Sequence, residues 1–112
     1  MTAVIKQMRE TGIKTAVITN NFWFDNNKQD SAFHCDPDLF DVIHESCRLG
    51  MRKPDKDIYI MTLEKLGSKP EESIFLDDHH WNLKPAEELG MTTILVKDPD
   101  EAAEKLKSLM EL

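Results

Sequence analysis

Hydrophobic residues follow two alternating patterns along the 112-residue chain. Short apolar runs predict buried strands, and apolar residues at helical spacing between these runs predict helices. The predicted strands are Thr15–Thr19, a segment around Phe40–Ile43, Ile74–Leu76 and Thr92–Val96. Short apolar strands that alternate with helices are typical of an α/β fold, in which helices cover both faces of a parallel sheet.

Residues that favour helix ends separate these strands. Pro85 falls in the first turn of one predicted helix, where a missing N–H costs little. The predicted boundaries are a stop at Thr11-Gly12, a start at Asp36-Pro37, a helix from Asp55 to Leu66 before Gly67, a cap at Asn82 with a stop at Gly90, and a start at Asp98-Pro99. The last helix should bury Ala102, Ala103, Leu106, Leu109 and Met110.

Length and composition narrow the class of protein. The chain is long enough for one small domain, residues 1–112, and too short for two. Its net charge of -7 argues against binding to nucleic acid or to a membrane surface. No apolar run approaches the roughly 20 residues that span a bilayer, and charges interrupt the start too early for a signal peptide. With two cysteines, Cys35 and Cys47, and no disulfide framework, we expect a cytoplasmic protein with reduced thiols.

Polar residues stand where three of the predicted strands lead into loops. In parallel α/β sheets, ligands bind outside the carboxyl ends of the strands. Thr19 and Asn20 offer a hydroxyl and an amide that can hold a phosphate oxygen. Lys53 can neutralise a phosphoryl oxygen as a point charge. The adjacent carboxylates of Asp77 and Asp78 close an apolar strand and can hold Mg²⁺ through oxygen ligands.

Each of these features has a plainer explanation when taken alone. Thr19-Asn20 fits an ordinary turn with an Asx hydrogen bond, and Lys53 fits a solvated lysine before a capped helix. Asp77-Asp78 fits an exposed turn after a strand, although adjacent carboxylates repel and favour a nearby cation. The ordered set is stronger than any one member because three independent coincidences would be needed to produce it.

The set resembles the haloacid dehalogenase-like superfamily of phosphohydrolases, with Thr19-Asn20, Lys53 and Asp77-Asp78 at its second, third and fourth motifs. A closer resemblance is to the N-terminal phosphatase domain of bifunctional soluble epoxide hydrolases and to the similar domain of acyl-CoA dehydrogenase-like proteins. It is carried by Thr15–Asn20, Glu45–Pro54, Phe75–Asp78, Asn82–Ala86, Leu89–Met91 and Thr93–Val96.

The resemblance implies a role for each matching residue. Thr19, Asn20 and Asn21 would belong to a phosphate-binding loop, and Lys53 would stabilise the transferring phosphoryl group. Asp78 would be a ligand of Mg²⁺, and Asp77 would orient the site. Enzymes of this superfamily attack the phosphorus of a small phosphorylated molecule with an aspartate nucleophile, and a second aspartate acts as general acid and base.

The nucleophile motif of the superfamily, an apolar strand followed by Asp-x-Asp, is missing from these 112 residues. Asp36-Pro37-Asp38 and Asp98-Pro99-Asp100 have the right letters, but both fit helix starts better. The expected fold is therefore a three-layer, Rossmann-like core that lacks the first strand and the cap. Its two strands on either side of the gap could pair directly, dock onto another chain, or be completed by a missing N-terminal segment of a longer protein.

Three functions follow from these expectations. The leading one is a Mg²⁺-dependent phosphatase-type hydrolase domain that is inactive alone. The alternative is a non-catalytic domain that binds phosphate or metal, or interacts with a partner. A halide-releasing dehalogenase of the same superfamily is weaker, since such enzymes need no metal. His79, His80 and Trp81 would line the mouth of the site rather than bind zinc, because no Cys or His spacing supports zinc.

Overall fold

The computed structural model describes residues 2–19 and 37–110, and contains four strands and five α-helices in that part of the chain. The strands are β1 (Ala16–Thr19), β2 (Val42–Glu45), β3 (Ile74–Asp77) and β4 (Thr92–Leu95). The helices are α1 (Thr2–Glu10), α2 (Ser46–Leu49), α3 (Lys56–Leu66), α4 (His80–Leu89) and α5 (Pro99–Met110), with 3₁₀ turns at Pro37–Leu39 and Pro70–Glu72.

The strands form two separate parallel pairs. β1 pairs with β2 from Ala16 opposite Val42 to Thr19 opposite Glu45. β3 pairs with β4 from Ile74 opposite Thr92 to Asp77 opposite Leu95. The predicted parallel pairing is confirmed, but β1 and β3 do not pair with each other, so the described strands do not close the gap directly.

Two hydrophobic clusters cover the two faces of these strands. On one face α1 and α5 bury Val4, Met8 and Leu106 beside Ile74 and Leu76 of β3. On the other face α3 and α4 bury Ile58, Tyr59 and Ala86 beside Ile18 of β1 and Phe75 of β3. Because neighbouring residues of a strand point to opposite faces, the alternation along β3 places one helical layer on each side. The expected three-layer α/β architecture follows.

The predicted helix start at Asp36-Pro37 becomes only a 3₁₀ turn, Pro37–Leu39, and Asp36 lies outside the described residues. The second strand begins at Val42, two residues later than the predicted segment. Asp41 sits just before this strand, and its carboxylate accepts hydrogen bonds from the Thr15 N–H at 2.7 Å and from Arg9 at 2.9 Å. These bonds hold the start of β2 beside the start of β1.

The predicted start of α4 is wrong by three residues, because the N-cap is His79 and not Asn82. The helix begins at His80, so Asn82 lies inside its first turn and is buried instead of capping it. Pro85 consequently falls inside the helix, beyond the first turn, whose N–H groups have no partner within the helix. Asn is common at helix caps, which is why the sequence predicts a cap here. In the structure the Asn82 side chain is instead buried beside Asp77.

One apolar residue of the last helix faces outward. Ala102, Ala103 and Leu106 are buried as predicted, but 52% of Leu109 is exposed. Leu109 lies three residues after Leu106, at the margin of the apolar stripe rather than at its centre.

A buried histidine on β2 contacts helix α3. His44 is 8% exposed, and its Nδ1 lies 2.7 Å from Thr62 Oγ1 on α3. Thr62 gives its single hydroxyl hydrogen to the Ile58 carbonyl, so the imidazole ring donates from Nδ1. Burial, and secondarily the charge of Lys65, lower the pKa of His44 below its ordinary value. His44 is therefore neutral in the folded protein at pH 7.

We expect the protein to lose stability as the pH falls below about 6.5, the pKa of an unfolded histidine. The unfolded chain then binds a proton that folded His44 resists, so the free energy of unfolding decreases with decreasing pH. Urea midpoints measured between about pH 7 and pH 5 check this, and His44→Val should flatten the curve. An unchanged slope in His44→Val would show that His44 does not cause the pH dependence.

Candidate functional site

A buried ion pair joins two of the predicted site residues. Asp77 is the last residue of β3, and its Oδ2 lies 2.7 Å from Nζ of Lys53. The side chains of Lys53 and Asp77 are only 11% and 5% exposed. Lys53 lies between α2 and α3, so the loop that follows β2 brings the ammonium group to the carboxyl end of β3.

Further donors surround the Asp77 carboxylate. The backbone N–H of His79 donates to Oδ1 at 2.9 Å, and Asn82 Nδ2 lies 3.4 Å from each carboxylate oxygen. Burial by itself would raise the pKa of Asp77, but the hydrogen bond from Lys53, the bond from His79 and the Lys53 charge outweigh it and lower that pKa. Asp77 is therefore a carboxylate, fixed in position, across the neutral pH range.

Asp78 differs from its neighbour in exposure. Its side chain is 70% exposed, and Oδ1 lies 2.7 Å from Nδ1 of His79. One possible ligand atom from each of Asp77, Asp78 and His79 lies within 4.8 Å of the others. This spacing suits a divalent cation. Since Asp77 already holds Lys53, the exposed oxygens of Asp78 are the more accessible ligands.

Asn82 belongs to the site although it was predicted only as a helix cap. Its side-chain amide points Nδ2 toward Asp77, whereas its Oδ1 is buried and has no hydrogen-bond partner among residues 2–19 and 37–110. The Tyr59 hydroxyl donates to the backbone carbonyl of Asn82, which fixes this turn of α4 against α3. The available signal was the position of Asn82, five residues after Asp77 in the first turn of the helix that follows the sheet edge.

The remaining predicted residues lie at other positions. Thr19 ends β1, in register with Glu45, which is buried and forms an ion pair with Arg48. Thr19 and Asp77 end the two strands that flank the gap. Asn20 and Asn21 lie outside the described residues, as do Phe22, Trp23 and Phe24. The structure thus joins Lys53 to Asp77, while the phosphate-binding roles of Thr19, Asn20, Asn21 and Lys53 stay predictions.

Aromatic side chains stand next to the carboxylates. The ring of Trp81 lies 4.6 Å from that of His79 and 5.1 Å from that of His80, and 53% of Trp81 is exposed. The structure therefore places all three at the surface beside Asp78, where a bound molecule could touch them.

The Asp-x-Asp candidate that the structure describes is part of a helix start. α5 begins at Pro99, and Asp98 Oδ1 accepts a hydrogen bond from the Asp100 N–H at 3.1 Å. The carboxylate of Asp98 is therefore engaged in an Asx-type turn. The other candidate, Asp36-Pro37-Asp38, falls partly outside the described residues.

Comparison with known proteins identifies the family of this arrangement. The model of the haloacid dehalogenase-like hydrolase family matches residues 1–90, which include Lys53, Asp77, Asp78 and Asn82. The chain belongs to this family. The predicted resemblance is thereby confirmed.

Two relatives show how much of a longer protein the chain matches. It is 44% identical over 110 residues to acyl-CoA dehydrogenase family member 10 of Mus musculus, covering 98% of this chain and 10% of that protein. It is 41% identical over 105 residues to bifunctional epoxide hydrolase 2 of Rattus norvegicus, covering 91% of this chain and 19% of that protein. The chain spans less than a fifth of the length of each relative.

A solved structure of a member of this family is similar in fold. A haloacid dehalogenase family enzyme from Bacteroides thetaiotaomicron, in complex with magnesium and inorganic phosphate, is 33% identical, with a TM-score of 0.53 over 57% of this chain and 34% of that chain. Another structure of that enzyme is 25% identical, with a TM-score of 0.67 over 96% of this chain and 53% of that chain. The chain matches only part of each of these two solved chains, as expected for a partial core of the family.

Within residues 2–19 and 37–110, no helix combines the length and the apolar composition that crossing a membrane requires.

Proposed function

We propose that the chain is a phosphatase-type domain of the haloacid dehalogenase-like family that retains the metal and phosphate half of its site and does not turn over substrate by itself. The observation that supports this best is the buried Lys53–Asp77 pair beside the exposed Asp78. It places a cation and two carboxylates together where a parallel sheet ordinarily binds ligands. The substrate class would be a small phosphorylated molecule, and residues 1–112 would form one partial domain.

Each residue of the half-site has a separate role in this proposal. Asp77 holds the Lys53 ammonium in place, and Lys53 faces the phosphoryl oxygens of a bound phosphate. Asp78 is the ligand for Mg²⁺, which would offset negative charge on the phosphate when bound. Thr19, together with Asn20 and Asn21, would donate hydrogen bonds to the same phosphate from the end of β1. Asn82 positions Asp77 through its amide nitrogen.

The choice of Mg²⁺ is supported by two observations. Carboxylate oxygens of Asp77 and Asp78 lie within 4.8 Å of each other, and such oxygens are the ligands that Mg²⁺ prefers. The related enzyme from Bacteroides thetaiotaomicron was solved with magnesium and inorganic phosphate. His79 already bonds Asp78, so we propose that it orients this carboxylate instead of binding the metal.

We expect Mg²⁺ and inorganic phosphate to bind at this edge of the sheet. In ¹H–¹⁵N spectra, adding both should shift the amides of Thr19, Lys53 and Asp77–His79, and Asp78→Ala should remove the response to Mg²⁺. Glu104→Gln, which changes an exposed carboxylate in the middle of α5, is the matched control and should keep it. Shifts confined to other parts of the chain, or equal loss in both variants, would refute the proposed site.

A second candidate is a non-catalytic domain that binds an anion and a metal or interacts with a partner. The Lys53–Asp77 pair favours it, because the two groups satisfy one another without substrate. A melting temperature raised by phosphate or Mg²⁺, together with no turnover, is the result expected of such a domain. If neither ligand raised the melting temperature, the domain would not be one that binds an anion and a metal.

A further inference from the structure

A tryptophan stands on the charged face of helix α4. Trp81 is 53% exposed, and the residues three and seven positions after it, Lys84 and Glu88, are exposed as well. Residues at this spacing share one face of a helix. The helix packs into the protein through a different set of residues, namely Asn82, Leu83, Pro85 and Ala86. Packing of the core therefore does not account for an indole at position 81.

Two imidazole rings stand against this indole. The ring centre of Trp81 lies 4.6 Å from that of His79 and 5.1 Å from that of His80, with angles of 58° and 75° between the ring planes. His79 and His80 are themselves exposed. Single exposed apolar residues, such as Leu109 in this chain, are ordinary on protein surfaces. Three exposed rings in contact form a continuous patch, which we call the aromatic surface (His79, His80 and Trp81).

The aromatic surface adjoins the proposed metal ligand. Nδ1 of His79 lies 2.7 Å from Oδ1 of Asp78 and 3.5 Å from Oδ1 of Asp77. The same imidazole contacts the indole of Trp81. One imidazole ring therefore separates the indole from the carboxylate of Asp78, so a short ligand can reach both.

Hydrogen bonds hold the backbone beneath the aromatic surface. The N–H of His79 donates to Asp77 at 2.9 Å, and the N–H of Asn82 donates to the His79 carbonyl at 3.0 Å. The Tyr59 hydroxyl then donates to the Asn82 carbonyl and ties this turn to α3. A ligand that stacks on Trp81 meets an ordered backbone, so binding costs less conformational entropy.

We propose that the aromatic surface selects phosphorylated molecules that carry a planar aromatic ring close to the phosphate, with this ring stacked on the indole of Trp81. This inference rests on the proposed phosphate site and names the class of its ligand. The phosphate would lie between Lys53 and the Mg²⁺ at Asp78. The ring would extend across His79 to Trp81, which limits the linker between ring and phosphate to a few atoms.

The chemistry of the aromatic surface favours a planar ring over other groups. Aromatic rings attract one another in offset-stacked and edge-to-face arrangements, beyond what burial of their area contributes. An alkyl group gains only the buried area, and a single half-exposed indole offers little of it. An organic cation is also attracted to an indole face, but here it would lie beside the Mg²⁺ of the proposed site, which repels it.

Phenyl phosphate and cyclohexyl phosphate test the proposal, because they match in charge and nearly in size and only the first has an aromatic ring. In ¹H–¹⁵N titrations with Mg²⁺, the amide of Asp78 reports binding of the phosphate, and the indole N–H of Trp81 reports contact with the ring. We expect phenyl phosphate to bind about fivefold more tightly than cyclohexyl phosphate. It should also shift the indole signal further, because an aromatic ring carries a ring current.

Three variants connect this preference to one side chain. Trp81→Ala should make the two esters bind equally, and Trp81→Phe, which keeps an aromatic ring, should retain most of the preference. Leu109→Ala is the matched control, because Leu109 on α5 is apolar and 52% exposed, as Trp81 is 53% exposed. It should keep the full preference for phenyl phosphate.

Four results would overturn the proposal: equal binding of the two esters by the unaltered chain, a preference that persists in Trp81→Ala, a preference lost equally in Leu109→Ala, or tighter binding of choline phosphate than of phenyl phosphate. The last result would assign the indole to a cation. If neither ester shifts the Asp78 amide, the phosphate site itself is wrong and this inference fails with it. Equal shifts by both esters would refute only the role of the aromatic surface.

Discussion

We expect Lys53→Met to lower the free energy of unfolding by about 3 kcal/mol, the low end of the range for removing one partner of a buried ion pair. The Asp77 carboxylate is 5% exposed and would lose its ammonium partner, although the His79 N–H would still donate to it. The methionine keeps most of the volume of the lysine stem, so the loss reports on charge and not on packing. Urea denaturation at pH 7 measures it.

Two comparisons isolate the ion pair. Asp77→Asn combined with Lys53→Met should recover much of the loss, because no buried carboxylate is then left without a cation. Lys56→Met breaks the surface pair of Lys56 with Glu88, whose side chains are 49% and 43% exposed, and should cost less than about 1 kcal/mol. Equal losses for Lys53→Met and Lys56→Met would show that the Lys53–Asp77 pair is not buried as described.

The alternation of strands and helices was predictable because it follows from apolar periodicity alone. Runs such as Ile74–Leu76 and Thr92–Val96 are too short for helices and too apolar for loops, and glycines mark the ends of α3 and α4. The sequence predicts that Lys53 and Asp77 both lie at the carboxyl edge of the sheet, but it does not predict that they touch. The 2.7 Å contact depends on the path of the loop between α2 and α3, which no local pattern specifies.

The site residue that the sequence did not reveal is Asn82. Its type favours a helix cap, and only the packing of α4 against β3 turns it toward Asp77. The sequence predicts that the central strand of the sheet is missing. It leaves open whether the two strands beside the gap pair directly, dock onto another chain or are completed by a missing N-terminal segment. The structure removes direct pairing of β1 with β3 for the described strands, which form two separate pairs.

We expect the 112-residue chain to release no phosphate from a generic phosphate ester above the buffer rate. Hydrolysis in this family proceeds through an aspartyl-phosphate, which requires a carboxylate aimed at the phosphorus. Asp77 is held by Lys53, Asp78 is proposed as the metal ligand, and Asp98 bonds the start of α5. We therefore propose that the half-site binds ions without supplying the carboxylate that attacks.

The measurement that tests this most directly is release of p-nitrophenol from p-nitrophenyl phosphate by the purified chain, with and without Mg²⁺, beside Asp78→Ala. We expect the same near-buffer rate in all samples. Mg²⁺-dependent release that scales with protein concentration and is abolished by Asp78→Ala would contradict it, because a working nucleophile would then lie within these 112 residues.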